Sequence, residues 1–270
     1  MENLTENLSK KLLVNEMFAS IAGEGLYAGT PNFFIRLVGC NLYCSWKGVM
    51  GASMCDSIYA SHPSCNSEIK YKTVGEAYEA FEKLMNQYPN IHQLTITGGE
   101  PLLQRDGITQ FLKMLPQSID VSFETNGTQL PILESNVDLW TVSPKLSSSC
   151  YFENCSNIPV ALQEKHKKER INIPVLSEFV SKCSENMIFK FVVADENDVN
   201  EIKDILTRVY EYTSDISEED IRRLVYIMPC GETEEKLQKS RLLCVETCKE
   251  NGWNYTDRLQ IIIYGDKRGV

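Results

Sequence analysis

Six short apolar runs rich in β-branched and aromatic residues recur along the chain, at residues 33–38, 94–97, 121–124, 139–143, 188–193 and 224–228. Runs this short, bounded by turn-forming residues, read as strands buried on both faces. Between them, residues 73–87, 107–115, 197–212 and 232–251 carry helix-like patterning. Strand and helix in alternation favour parallel pairing through helical crossovers, because neighbouring parallel strands need a long connection. The pattern predicts an α/β fold, a partial (β/α) barrel of about six parallel strands. Residues 12–20 and 258–264 are expected to add terminal strands. Residues 147–183 mix Ser-rich, Lys-rich and Pro-containing pieces, and are expected to lengthen one crossover with short helices. No internal repeat or low-complexity tract breaks this order. A length of 270 residues with 43% hydrophobic content suits one α/β domain spanning 1–270.

Composition narrows the picture. Residues 1–15 mix Glu, Asn and Lys, and no run approaches the ~18 apolar residues of a spanning helix, so a cytoplasmic chain without membrane contact is expected. Ten cysteines in such a chain point to metal ligation or reduced buried thiols rather than to a disulfide framework. A net charge of −10 disfavours a broad phosphate-binding surface, which leaves a small molecule as the expected substrate and no direct nucleic-acid partner.

Cys40 and Cys44 flank Asn41-Leu42-Tyr43 just after the first predicted barrel strand, where a loop can turn two thiolates toward one metal centre. Alone, they fit packed thiols equally well. Thr97-Gly98-Gly99-Glu100-Pro101 follows the second run and alone reads as a strand-ending turn. Both in this order favour a site. Glu124-Thr125-Asn126-Gly127, Ser143-Pro144-Lys145 and Met228-Pro229-Cys230-Gly231 also fall at the carboxyl ends of predicted strands, the face on which (β/α) barrels collect active sites.

Gly39-Cys40-Asn41-Leu42-Tyr43-Cys44-Ser45-Trp46 resembles the start of the Cys-x3-Cys-x2-Cys loop of the radical S-adenosylmethionine (SAM) family. The third position holds Lys47. Cys55-Asp56-Ser57 resembles the Cys-Asp-Thr that normally follows the Trp, so residues 47–54 read as an insertion and the motif as Cys-x3-Cys-x10-Cys. Cys65 competes as third ligand but lacks the Asp-Ser continuation. The resemblance implies a 4Fe-4S cluster on Cys40, Cys44 and Cys55, with SAM on the open iron. It also implies SAM contacts from Asp56, Gly98, Gly99, Glu100, Glu124, Asn126, Ser143, Pro144, Lys145, Met228, Pro229, Cys230 and Gly231.

A narrower resemblance covers almost the whole chain and is to the 7-carboxy-7-deazaguanine synthase family. It rests on Ser20-Ile21-Ala22-Gly23-Glu24-Gly25 with Arg36, where Ala22 replaces a common Gln. Phe123 to Thr128, Val142 to Lys145 and the closing Asp266-Lys267-Arg268-Gly269-Val270 also match. The resemblance implies substrate contacts from Ile21, Ala22, Gly23, Glu24, Arg36, Thr97 and the Val270 carboxylate, and a Mg²⁺ contact from the Ser57 hydroxyl. The implied reaction is that of a carbon–nitrogen lyase: ring contraction of 6-carboxy-5,6,7,8-tetrahydropterin to 7-carboxy-7-deazaguanine with loss of ammonia, in queuosine precursor synthesis. No side chain acts as catalyst; the radical chemistry comes from SAM and the cluster. A flavodoxin or ferredoxin-like electron donor and a homodimer are implied as well.

Two rivals use the same cysteines. An activase of a glycyl-radical protein shares the cysteine loop, but the substrate-like start and the Lys-Arg-Gly-Val end argue against it. A noncatalytic zinc protein using Cys40, Cys44, Cys55 and Cys65 leaves the Gly-Gly-Glu-Pro loop and the other strand-end motifs unexplained.

Overall fold

The computed structural model describes residues 7–46, 55–62, 68–152, 158–213, 216–265 and 267–269; the expected insertion at 47–54, Cys65 and Val270 lie outside them. The first part of the chain forms β1 (Lys11–Ile21), β2 (Pro31–Leu37), β3 (Ser45–Trp46), α1 (Ile58–Ser61), β4 (Tyr71–Thr73), α2 (Val74–Gln87), β5 (Gln93–Gly98), α3 (Arg105–Leu112), β6 (Asp120–Thr125) and β7 (Leu139–Val142). The second part forms β8 (Cys150–Tyr151), α4 (Val160–Glu169), α5 (Ile173–Cys183), β9 (Met187–Val193), α6 (Glu196–Tyr212), α7 (Glu218–Arg223), β10 (Val225–Pro229), α8 (Glu234–Asn251), β11 (Asn254–Tyr255) and α9 (Leu259–Tyr264).

All six apolar runs are strands. Nine strands form one sheet in the order β11-β10-β9-β7-β6-β5-β2-β1-β4. From β2 to β10 every neighbour is parallel, as helical crossovers require. β1 runs antiparallel to β2, and β4 antiparallel to β1. The architecture is a partial (β/α) barrel with added strands at its edges. β7 is buried along its whole length, and β9 is buried everywhere except Val192, including its one charged residue, Lys190.

The crossover helices start where side chains satisfy their first N–H groups. Thr73 caps α2 by accepting from Glu76 N, and Asp195 caps α6 by accepting from Asn197 N and Asp198 N. α2 then buries Val74, Ala77 and Phe81, and α6 buries Val199, Ile202, Ile205 and Val209. Phe81 stands edge-on to Phe33, while Trp140 stacks on Phe123 and meets Phe179 edge-on. Each such buried side chain contributes about 1.5–3 kcal/mol.

The expectation of a strand at 258–264 is corrected, since Leu259–Tyr264 is helical. Three consecutive isoleucines favour a strand by propensity, yet only Ile261 is buried, and Ile262 and Ile263 are about half exposed. The anchors decide the local form. Leu259 N donates to Gly23 O, and Gly265, with a φ of 64°, lets its N–H close on Ile261 O. Residues 147–183 hold α4, α5 and β8, and β8 pairs with β3 in a separate two-stranded sheet. Among the described residues no helix is long and apolar enough to cross a membrane.

Candidate active site at the carboxyl ends of the strands

Beyond β2 the chain turns through Gly39, whose φ of 99° suits glycine, into Cys40. Leu42 N donates to Cys40 Sγ at 3.4 Å. Asn126 Nδ2 donates to Asn41 Oδ1 at 3.0 Å and lies 3.9 Å from the same sulfur. Asn41 in turn donates to Thr128 Oγ1 at 2.9 Å, which fastens the loop after β2 to the loop after β6. Cys55 N donates to Cys44 O at 3.2 Å, so the chain returns beside Cys44 despite the length of the intervening segment. Cys55 Sγ sits 3.3 Å from Ser57 Oγ.

The three thiols share one electrostatic neighbourhood. Burial pushes Cys40 up to about 12, Cys44 well above its ordinary value, and Cys55 upward, while the Lys145 ammonium opposes the rise at all three. Cys55 further raises Cys40 and Cys44 by like charge. Lys145 is held at the end of β7 by donating to Ser143 O and Oγ, each at 2.8 Å, across Pro144.

Gly98 and Gly99 face the chain itself. A Cβ on Gly98 would lie 2.3 Å from Leu37 O, and one on Gly99 would lie 2.0 Å from Gly39 O. The loops after β2 and β5 therefore touch backbone to backbone. Glu100, fully buried, accepts from Leu102 N at 3.0 Å, Thr125 Oγ1 at 2.8 Å and Asn126 N at 2.7 Å. Burial raises its carboxyl despite these three donors. Glu100 thus joins the end of β5 to the end of β6.

A second cluster of charges lies across the sheet. Lys190, in the middle of β9, donates to Glu24 Oε2 at 2.6 Å and to Glu124 Oε1 at 3.0 Å. Glu124 Oε2 accepts from Thr97 Oγ1 at 2.8 Å. Glu24 Oε1 accepts from Arg258 Nε at 3.0 Å and Gln260 Nε2 at 2.6 Å. Burial would raise the Glu24 carboxyl, but Lys190 and Arg258 hold it well below the usual carboxylate range. Likewise burial would lower Lys190, yet Glu124 and Glu24 raise it. Arg258 also pairs with Asp56 of the cysteine loop and donates to Gly231 O at 2.7 Å, linking β10 to Cys55-Asp56-Ser57.

Not every expected site residue joins these clusters. Ile21 ends β1, and Ala22 is buried, bonded through its backbone to Gly29 and Thr30. Gly23 makes room for Gln260, whose Oε1 would lie 1.8 Å from a Cβ there. Arg36 Nε pairs with Glu16 Oε1 at 2.8 Å, and Tyr59 donates to the same oxygen at 2.7 Å. Met228, Pro229 and Cys230 close β10, with Cys230 N donating to Val193 O. The tail turns back toward Glu16: Arg268 lies over the Tyr59 ring at 4.1 Å, and a Cβ on Gly269 would stand 4.0 Å from Glu16 Oε2.

Sequence reasoning missed Glu16, Tyr59, Lys190, Arg258 and Gln260. Lys190 carried a signal, as the single charge inside the apolar run 188–193. Among the described residues no group of three or more His, Cys, Asp or Glu converges as one metal ion would require.

No family model matches the chain. A 7-carboxy-7-deazaguanine synthase from Halobacterium salinarum is 31% identical over 259 residues, covering 94% of this chain and 91% of that protein. Another protein of that name from Hyperthermus butylicus is 32% identical over 240 residues, covering 88% of this chain and 85% of its own length. The crystal structure of QueE from Escherichia coli has the same fold, with a TM-score of 0.57 at 20% identity, covering 96% of this chain and all of that one. With such identity sustained over nearly the full length of both sequences, the chain belongs to the 7-carboxy-7-deazaguanine synthase family of enzymes.

Proposed function

We propose that this protein contracts the ring of 6-carboxy-5,6,7,8-tetrahydropterin to give 7-carboxy-7-deazaguanine with loss of ammonia, using a 4Fe-4S cluster, SAM and Mg²⁺. The observation that carries the reading is that Cys55 returns to hydrogen-bond Cys44 after the cysteine loop, while Arg258 joins the neighbouring Asp56 to the cluster of Glu24, Lys190 and Glu124. The donor set fits a cluster: three free thiols, Cys44 buried and Cys40 and Cys55 half-buried, would each ligate an iron, with N–H and O–H groups beside the Cys40 and Cys55 sulfurs. Burial keeps these thiols protonated in the absence of metal, so cluster binding would have to displace their protons. Cluster and SAM together supply one-electron chemistry and hydrogen-atom abstraction.

The chain's own residues bind and orient. Glu24, Glu124 and Asp56 outnumber Lys190 and Arg258 by one charge, leaving acceptor capacity for the amino and ring N–H donors of a pterin. Arg36, set by Glu16, offers a guanidinium to the substrate carboxylate. The Ser57 hydroxyl begins α1 without capping it and supplies a hard oxygen suited to Mg²⁺. The tail turns toward Glu16 and Tyr59 at Arg268 and Gly269, which supports the reading that residues from Lys267 onward act on substrate. Anaerobic protein incubated with SAM, Mg²⁺, a reductant and the carboxytetrahydropterin should yield the deazaguanine by mass analysis. Failure to cleave SAM would remove the radical reading; cleavage without ring-contracted product would remove the substrate.

A further inference from the structure

Residues 147–183 contribute none of the cofactor or substrate contacts expected above, yet they touch the cysteine loop at its centre. Tyr43 lies between Cys40 and Cys44, and its backbone N–H donates to His166 Nδ1 of α4 at 3.3 Å. His166 is completely buried. Its Nε2 lies 3.0 Å from Ser149 Oγ, and Ser149 Oγ donates to Leu146 O at 2.6 Å. These partners fix every proton in the series. With Nδ1 accepting, Nε2 must carry the ring proton and donate to Ser149, whose own hydroxyl proton goes to Leu146 O.

Two further contacts come from the same segment. β3 pairs in parallel with β8, placing Ser45 beside Cys150 and Trp46 beside Tyr151, and Ser45 Oγ donates to Tyr151 O at 2.6 Å. Phe152 and Ile158 form a small apolar cluster of their own, against which Tyr43, Cys150 and Leu162 pack. The Tyr43 ring stacks on His62 with ring centres 3.8 Å apart, and Phe152 meets His166 edge-on. The segment is itself anchored by Arg170, which donates to Lys145 O at 2.8 Å and pairs with Glu201 at 2.6 Å.

We propose that His166 is a positioning residue for the iron–sulfur cluster, and that the described residues of this crossover, 147–152 and 158–183, form a clamp that presets the Cys40–Cys44 loop and shields it from water and oxygen. This rests on the reading that Cys40, Cys44 and Cys55 hold the cluster. A loop between two ligands must keep both sulfurs at fixed spacing while its backbone N–H groups remain satisfied. Here the N–H between the ligands is satisfied by a buried ring whose orientation is itself fixed, the arrangement by which outer contacts hold metal ligands in place.

The test compares parent protein with His166→Leu, His166→Asn and Ser149→Ala after anaerobic reconstitution. Readouts are iron and sulfide per chain, the midpoint potential, and the decay of cluster absorbance in air. Leu fills the space without an acceptor, and should bind the cluster about tenfold more weakly and lose it faster in air. Asn keeps an acceptor where Nδ1 stood, and should restore iron content and potential toward parent values. Ser149→Ala should give a smaller loss in the same direction, and decides the matter if the Leu protein fails to fold by circular dichroism. Equal potential, iron content and air stability in the parent and in whichever of the Leu and Ala proteins fold would overturn the clamp. A parent protein that takes up no iron would instead overturn the cluster reading.

Discussion

Gly99 shows how one missing methyl group can matter, because its Cβ direction points at Gly39 O from only 2.0 Å. The obstacle is backbone on the cysteine loop, so relief requires moving Cys40. Gly99→Ala should therefore cost at least about 3 kcal/mol, the upper range for overpacking, and lower iron uptake after reconstitution. An Ala variant with parental melting temperature and iron content would show that the loops are not in contact. Asp198 behaves differently. Its carboxylate accepts from Ala194 N at 2.8 Å on one oxygen, while the other is buried without a partner. Burial raises it to about 6 from its ordinary 3.8, so the native state binds more protons than the unfolded chain between those values. The favourable contribution is complete below pH 4 and lost as pH rises through about 6. Asp198→Asn should accordingly exceed the parent in stability at pH 7 by about 1–3 kcal/mol, with the difference vanishing near pH 4 in urea titrations. A gap independent of pH would show that Asp198 titrates normally.

At the scale of elements, β9 and α9 mark what the sequence pattern could and could not disclose. The six central strands were legible because burial on both faces leaves a short run rich in β-branched and aromatic residues, a signal that needs no partner. β9 was legible as a strand for that reason, and its one charge, Lys190, marked the site's second cluster. α9 was misread because its three isoleucines favour a strand by propensity, whereas Arg258, Leu259 and Gln260 are fixed by Glu24 and Gly23, more than 230 residues away. Contacts at such separation leave no local pattern. The cysteine spacing and Gly-Gly-Glu-Pro were legible as motifs, but the role of the glycines, letting two loops touch, was not. Lys190 also offers a test. Replacing it by Met strands Glu24 and Glu124 with one cation fewer, and removing one partner of a buried pair costs about 3–5 kcal/mol. The exposure of Glu124, 34% of its side chain, places the expected loss at the low end, near 3 kcal/mol. Adding Glu124→Gln to Lys190→Met should recover part of it; no recovery would mean that packing, not charge, explains the loss.

At the scale of the whole molecule, the loop after β1 meets the segment after β11. β1 leads into the 22–30 loop, where Gly25 N donates to Thr256 Oγ1 at 2.8 Å and Gly23 O receives Leu259 N at 2.9 Å. From α9 the tail returns to Glu16 of β1 and Tyr59 of α1, where Arg268 covers the ring. The apolar core, from Leu12 to Trp253, contains none of the described residues of this tail. The tail can therefore be altered without opening that core. Arg268 on Tyr59 is a single exposed cation–π contact, worth about 0.5–1 kcal/mol, too little to hold the fold but enough to bias a short tail. Deleting residues 265–270 should leave iron content unchanged and shift the melting temperature by no more than about 4 °C. Affinity for the carboxytetrahydropterin should fall by about tenfold or more, since charge-assisted contacts contribute about 1.5–3 kcal/mol each. Adding two glycines after Val270 keeps every tail residue but moves the terminal carboxylate, so loss of affinity there as well would assign the effect to that carboxylate. If the deletion weakens binding while the extension does not, the tail acts by covering the site through Arg268. If neither changes affinity, the contact of Arg268 with Tyr59 serves a purpose unrelated to substrate.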